Sequence, residues 1–296
     1  MAYRHLCYSN KSYSRELDFE KRVMDQVRSD KLPFSELSII VTAFNAELTI
    51  VDTLNSIFTS AEGLDYVVVL FDDGSSIPIE NFLQDFKGES RLLIHRSVEN
   101  IGRANALNRA IASYDSQFIA IVDADDIVLP IRFQEALKIL NSRPEIDCVS
   151  GQLRKFGDWG CSTILSNFPT SELAIKKKFA RFRNVVGHSG ATFRRSWFIQ
   201  LGGYRSFYRC QDLELFTRGF RDNYFISNEL YYFYKTKTKK MRLNYFMEQE
   251  FWRDIVIRNS DPASTYQSDL IRTRVSPVTK LRIFSKYLLL RALNRI

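Results

Sequence analysis

Phe118-Ile119-Ala120-Ile121-Val122-Asp123-Ala124-Asp125-Asp126 reads as a buried strand that stops at an acidic turn. A run of apolar, largely β-forming residues precedes three carboxylates set within four positions. Like charges that close repel, so such a cluster calls for a cation beside it. In open α/β sheets, ligands bind outside the carboxyl ends of the strands. The stretch therefore points to a hard divalent ion holding an anionic substrate at the mouth of a sheet. The plainer alternative is a polar turn, where Asp is also common, and the rest of the chain decides between them.

The chain has 296 residues, 45% of them hydrophobic, enough for one large domain or a domain with an appendage. The abundance of Leu, Ile, Val and Phe argues against global disorder. No apolar run reaches bilayer-spanning length, and Met1-Ala2-Tyr3-Arg4-His5 lacks the apolar centre of a signal peptide. A cytoplasmic location is the expectation. Cys7, Cys148, Cys161 and Cys210 show no CxxC spacing, which predicts reduced thiols and argues against a Cys-ligated zinc site. With three histidines in all, a bound metal is expected to be a hard one with oxygen ligands, Mg²⁺ or Mn²⁺. Lys plus Arg outnumber Asp plus Glu by 42 to 34, a net charge of +8 that suits an anionic partner: a nucleoside diphosphate, nucleic acid or anionic lipid.

Residues 1–36 are polar and charged, with a helix predicted over 15–29 and Pro33 beyond it; they read as an N-terminal arm. From Leu37 strand alternates with helix. Strands are predicted at 37–42, 66–71, 92–95, 118–122 and 148–153, and helices at 46–60, 79–86, 102–113 and 131–140. Strict alternation predicts a parallel sheet with helices on both faces. The regularity fades after Lys155. A strand over 159–165, a basic helix over 171–182, a strand over 189–193 and a short helix over 211–220 are expected, then a cationic loop over 236–242 and helices over 243–258 and 277–296.

The first strand runs into Thr42-Ala43-Phe44-Asn45, with Asn45 placed to cap the following helix, and the second into Asp72-Asp73-Gly74-Ser75. In a parallel sheet both ends face the same side as Asp123 and Asp125, so three polar or acidic loops converge on one crevice. No GxxxxGK or post-strand GxGxxG occurs, which removes P-loop hydrolases and dinucleotide-dependent dehydrogenases. A nucleotide here depends on a metal rather than on a glycine cradle.

In order along the chain, SIIVTAFNAE, VVVLFDDGSS, ENIGRANALNRAI and IAIVDADD with Pro130 resemble the donor half of a family 2-type glycosyltransferase. HSGATFRRSWFIQLGGY and CQDLELFTR resemble its acceptor half. The resemblance covers residues 37–235. It implies a GT-A fold: an α/β, Rossmann-like, mostly parallel sheet flanked by helices. Residues 37–153 would form the nucleotide-sugar half, 154–235 an irregular acceptor half and 236–296 a basic helical extension. By resemblance, Thr42, Phe44 and Asn45 match the loop that packs on the nucleoside. Asp72 matches the acid that hydrogen-bonds the base, with Asp73 beside it, and Gly102 and Arg103 flank base and phosphate. Asp123, Ala124 and Asp125 match the DxD motif, Asp125 as the metal ligand and Asp123 near ribose and metal. Asp212 matches the general base, while Gln211 stands where the family more often carries Glu. The implied activity is inverting, metal-dependent transfer of a sugar from a nucleotide donor, UDP-linked by preference, to a glycan or lipid-linked acceptor. The rival activities are sugar nucleotidyl transfer, which lacks its glycine- and arginine-rich loop here, and a non-catalytic basic module for membrane or nucleic acid. No nucleic-acid signature is present.

Several residues carry two readings. Asp126 steadies the acidic motif or faces the sugar. Glu214 supports the site from behind or is solvated. His188 lies near acceptor or metal, or is a hydrogen-bonded structural histidine. Trp159 and Trp197 stack on a sugar or pack in the core. Lys235, Lys237, Lys239, Lys240 and Arg242 close over the diphosphate or form a solvated face. The amphipathic basic stretch 280–296 lies on the cytoplasmic face of the inner membrane or packs on the catalytic domain.

Overall fold

A strand covered on both faces has no solvent side to keep polar, so its sequence runs apolar without alternation. Tyr66–Asp72 shows the result, with every residue buried. The computed structural model describes residues 34–236 apart from 158, 159, 182, 184 and 208, and scattered positions between 243 and 288. The N-terminal arm, Cys7, Trp159, the lysines and arginine at 237–242 and nearly all of the C-terminal helices lie outside the described residues.

The strands are β1 (Phe34–Ala43), β2 (Tyr66–Asp72), β3 (Leu92–Arg96), β4 (Asp115–Asp123), β5 (Ile127–Val128), β6 (Cys148–Gly157), β7 (Gly160–Leu165), β8 (Thr192–Arg194) and β9 (Tyr224–Lys235). The helices are α1 (Ile50–Ser60), α2 (Arg103–Ala112), α3 (Ile131–Ser142), α4 (Glu172–Phe179), α5 (Arg195–Gln200) and α6 (Gln211–Gly219). The expected helix at 79–86 is two 3₁₀ turns, Ile79–Phe82 and Gln84–Phe86. The expected strand at 189–193 is a 3₁₀ turn, His188–Gly190, followed by the three-residue β8. Among the described residues no helix is long and apolar enough to cross a membrane.

The strands form one sheet in the order β3-β2-β1-β4-β8-β6-β9-β5, with β7 on β6. The first four are parallel. The sheet is mostly parallel, as expected, and β8 is an exception that enters between β4 and β6 antiparallel to both. Side chains alternate across this sheet with period two. Leu37, Ile39 and Val41 of β1 and Phe118, Ala120 and Val122 of β4 face one core, under α1 and α3. Ile40, Ile119 and Ile121 face the other, which α2, Trp197 and Phe198 of α5, and Phe216 of α6 close. Each fully buried Ile, Leu or Phe contributes roughly 1.5–3 kcal/mol relative to exposure. Trp197 is among them, buried, stacked on Phe216 and donating Nε1–H to the Gly219 carbonyl, so its role is packing.

The pairing register sets the ends of the strands level. Thr42 lies between Phe71 and Asp123, and Ala43 opposite Asp72. The chain therefore leaves β1, β2 and β4 on one edge of the sheet.

β9 was not legible as a strand. Its run YFISNELYYFYK breaks the apolar pattern with Asn228 and Glu229, and its register against β6 shifts twice. Tyr231 and Tyr232 anchor it, both essentially buried. Glycines make the room: a Cβ at Gly151 would lie 2.4 Å from the Tyr231 ring, and one at Gly190 would lie 2.7 Å from Tyr232. Gly151→Ala is expected to overpack this seam and cost about 1–3 kcal/mol. It should read out as a lower urea midpoint with unchanged slope.

Candidate active site

β2 ends in two acids that the fold uses in opposite ways. Asp72 is buried, and its carboxylate accepts from the backbone N–H of Ser75 (2.9 Å) and of Ile79 (3.1 Å) and from the Arg96 guanidinium. Burial alone would lift its pKa, but these donors outweigh it and hold the carboxyl below its usual range. Asp73 accepts from the N–H of Ile101 (2.8 Å) and of Gly102 (3.1 Å), so it pins the entry to α2. There burial wins and the pKa rises. Gly74, which follows them, has φ +72°, and a Cβ would sit 2.5 Å from the Glu99 backbone.

β1 ends in Thr42, half-buried, and in Phe44, which stands 53% exposed at the mouth. Asn45 does not cap a helix, since α1 begins later, after Thr49. In a left-handed conformation (φ 50°), Asn45 instead clamps the β2 turn. Its N–H donates to Ser75 Oγ and its Oδ1 accepts from the Ser76 N–H, both at 2.9 Å.

β4 delivers the acids into three environments. Asp123 is mostly shielded and accepts from the Arg103 guanidinium. Burial opposes its ionisation, yet the Arg103 guanidinium reverses the balance and holds it well below the usual carboxylate range. Asp125 is exposed at the loop tip, but partial desolvation and then the negative charge of Asp123 push its pKa up. Asp126 is fully buried. Its Oδ1 accepts from the Lys235 N–H at 2.8 Å, and burial followed by the Asp123 charge pushes its pKa well up. Asp126 thus ties the acidic loop to the end of β9. Ala124 is buried, and its carbonyl accepts from Thr49 Oγ1 at 2.8 Å.

Arg103, the first residue of α2, is the hub. Its Nη2 reaches Asp123 and also His188 Nδ1 at 2.9 Å. A guanidinium only donates, so Nδ1 accepts and the imidazole proton sits on Nε2, facing Tyr204 Oη at 2.9 Å. Tyr204 is fixed in turn by Asn108 of α2, which donates to its carbonyl (2.8 Å) and accepts from its N–H (2.9 Å). Asp212 lies half-buried in the first turn of α6, within electrostatic reach of Arg103 and Tyr204. The helix follows Cys210, a non-glycine at φ 62°, a strained conformation of the kind that collects at functional sites. Gln211 is buried, so an uncharged residue suits its place.

Glu214 is not solvated. It is fully buried and paired bidentately with Arg218 (2.7 and 3.0 Å) and with Arg205 (3.2 Å). Arg218 Nη2 also donates to the Gly203 carbonyl at 2.8 Å. This pair fixes the Gly202–Tyr204 turn, and with it the Tyr204 hydroxyl on His188. Sequence patterning gave no sign of the Arg103–His188–Tyr204–Asn108 chain, because it runs from α2 through two turns distant in sequence and back to α2.

The donor set fits a hard divalent ion. Asp123 and Asp125 offer carboxylate oxygens, and the charge of Asp123 disfavours a second anion at Asp125, a repulsion that a divalent ion would relieve. Among the described residues no group of three acidic, His or Cys side chains converges. The protein would then supply two side-chain ligands and leave the other positions to water and phosphate oxygens, as Mg²⁺-type sites do.

The profile described as "Glycosyl transferase family 2" matches residues 38–202, more than half of the chain. The amylovoran biosynthesis glycosyltransferase AmsE of Erwinia amylovora is 26% identical over 61% of this chain and 68% of its own length. The poly-beta-1,6-N-acetyl-D-glucosamine synthase of Staphylococcus epidermidis is 27% identical over 55% of this chain, but that spans only 38% of the synthase. Among solved structures, S. aureus TarS 1-349 in complex with UDP superposes with a TM-score of 0.58 at 17% identity, covering 86% of this chain and 70% of that one. The mannosyltransferase PcManGT of Pyrobaculum calidifontis, in complex with GDP-Man and Mn²⁺, gives 0.58 at 14% identity over 95% and 84%. These likenesses show the GT-A fold.

Glu214→Gln should leave Arg218 and Arg205 short of a buried counter-charge. A loss of about 3–5 kcal/mol in unfolding free energy is expected, measured by urea titration.

Proposed function

The chain belongs to glycosyl transferase family 2, and from that premise we propose inverting, metal-dependent transfer of a sugar from a nucleoside-diphosphate donor to a growing glycan or lipid-linked saccharide. The observation that carries the reading is the meeting of Asp123, Asp125, Arg103 and Asp212 at one edge of the sheet, on residues contributed by β4, α2 and α6. Separate elements bring together a pair of hard oxygen donors, a cation and a half-buried carboxylate. Phosphate release and proton removal need just these groups.

Phe44, exposed beside the Asn45 clamp, offers a flat apolar surface to a nucleoside base. Asp72 and Asp73, with their oxygens engaged by backbone donors, hold the two loops that frame that base. Asp123 and Asp125 would hold Mn²⁺ or Mg²⁺. A divalent ion, when bound, offsets as a Lewis acid the negative charge that builds on the departing diphosphate. Arg103 supplies a second positive group on the same side. Asp212 takes the proton of the acceptor hydroxyl as that oxygen attacks the anomeric carbon from the face opposite the diphosphate. One base and one displacement invert the configuration, with no carboxylate nucleophile needed.

Support for the donor class comes from the neighbours, solved with UDP, UDP-GlcNAc, or GDP-Man and Mn²⁺; UDP is the favoured nucleotide. Support for a role in glycan synthesis comes from relatives named for amylovoran biosynthesis and poly-beta-1,6-N-acetyl-D-glucosamine synthesis.

Calorimetric titration with UDP and GDP, each with and without Mn²⁺, tests the donor assignment: binding that requires Mn²⁺ is expected, and equal binding without it sinks the metal's part. Asp125→Ala should abolish the Mn²⁺-dependent binding. Asp212→Asn should keep donor affinity while turnover falls roughly 10²–10⁴-fold, measured by nucleoside diphosphate release. Unchanged turnover would remove Asp212 from the chemistry.

A further inference from the structure

Building on the metal-dependent donor reading above, we propose that Arg103 is a transferable counter-ion. It holds Asp123 while the donor is absent and passes to the donor's diphosphate when Asp123 turns to a divalent cation. Arg103 is built for movement at its tip and constancy at its root. Its backbone opens α2, where Gly102 N–H is tied to Asp73, and its side chain is 40% exposed. Both contacts, to Asp123 and to His188, are made by Nη2. A guanidinium carries five N–H donors in a planar fork, so donors remain beyond those that these partners take.

Charge counting gives the direction of the exchange. With Asp123 and Asp125 ionised, Arg103 leaves the cluster one negative charge in excess. A divalent ion on the two acids removes that excess and makes Arg103 redundant beside Asp123. The diphosphate that accompanies the ion brings paired oxygens that match the guanidinium fork better than one shared carboxylate oxygen does. Release from His188 costs the arginine a single hydrogen bond at Nδ1. Tyr204 and Asn108 keep that ring in place for the return. Arg103 therefore competes with the metal in the free enzyme and assists the nucleotide in the bound one.

This predicts two shifts of opposite sign in one variant. Mn²⁺ binding to the full chain without nucleotide is measured by electron paramagnetic resonance of the free ion. UDP and GDP binding at saturating Mn²⁺ is measured by calorimetry. Arg103→Met should bind Mn²⁺ about fivefold tighter, the scale of one partly exposed ion pair. The same variant should bind the nucleoside diphosphate about tenfold weaker. Arg103→Lys should leave Mn²⁺ affinity near the parent value. An unchanged melting temperature checks that the fold persists. Mn²⁺ binding that is unchanged or weaker in Arg103→Met overturns the exchange. If the parent protein binds Mn²⁺ and nucleotide but the variant moves both the same way, the exchange alone falls. If the parent binds neither, the metal-dependent reading falls and the exchange with it.

Discussion

Three carboxylates cannot crowd the end of a half-buried strand unless their repulsion is relieved, and the contact between Arg103 and Asp123 provides the relief. The arrangement around it gives each acid a separate state. Asp123 stays ionised against a guanidinium. Asp126, sealed under the loop and bonded to the Lys235 N–H, is pushed toward its neutral form. Asp125, at the exposed tip, is pushed upward by partial desolvation and then by the charge of Asp123. Environments that drive equivalent groups apart in this way separate their properties: Asp126 is sealed into the fold, while Asp123 and Asp125 stay nearer the surface of the loop.

The relief also explains why the two halves of the domain depend on each other. Arg103 belongs to α2, which packs on the donor strands. Its partner His188 is held by Tyr204, from a turn that Arg218 and Glu214 fix from the acceptor side. Asn108, a turn and a half along α2 from Arg103, clamps the same tyrosine. One short helix thus references the acid cluster and the acceptor elements to a common frame. The base candidate Asp212 rides on the helix whose buried Glu214 completes that frame.

Much of this was legible because burial on both faces leaves a clear mark. β1, β2 and β4 have continuous apolar cores, so their ends, and hence Asp72 and Asp123, were placed from the residues alone. The level register of Ala43 with Asp72 and of Thr42 with Asp123 follows from parallel pairing. The pattern failed where tertiary contacts override local preference. β9 carries polar residues and relies on glycines in β6 and the His188–Gly190 turn for the space its tyrosines fill. The direction of β8 could not be seen because three residues hold too little pattern. Asn45 has the right chemistry for a helix cap, but its left-handed backbone turns it to the Ser75–Ser76 loop instead. The ordered chain from Arg103 to Asn108 leaves no periodic trace, since hydrogen bonds across elements impose no spacing on the sequence.

The antiparallel insertion of β8 bears on how the polypeptide reaches this arrangement. On the flank away from β1, Phe118–Ala120 pairs with residues 192–194, and Thr192 and Phe193 then connect it to β6. Until a ribosome has extended the chain past Arg194, the outer flank of β4 presents open N–H and C=O groups on an apolar strand, a template for wrong pairing. Closure of that flank is a long-range event of the kind that slows folding. The acidic loop therefore emerges on an edge that stays open until residues 192–194 follow.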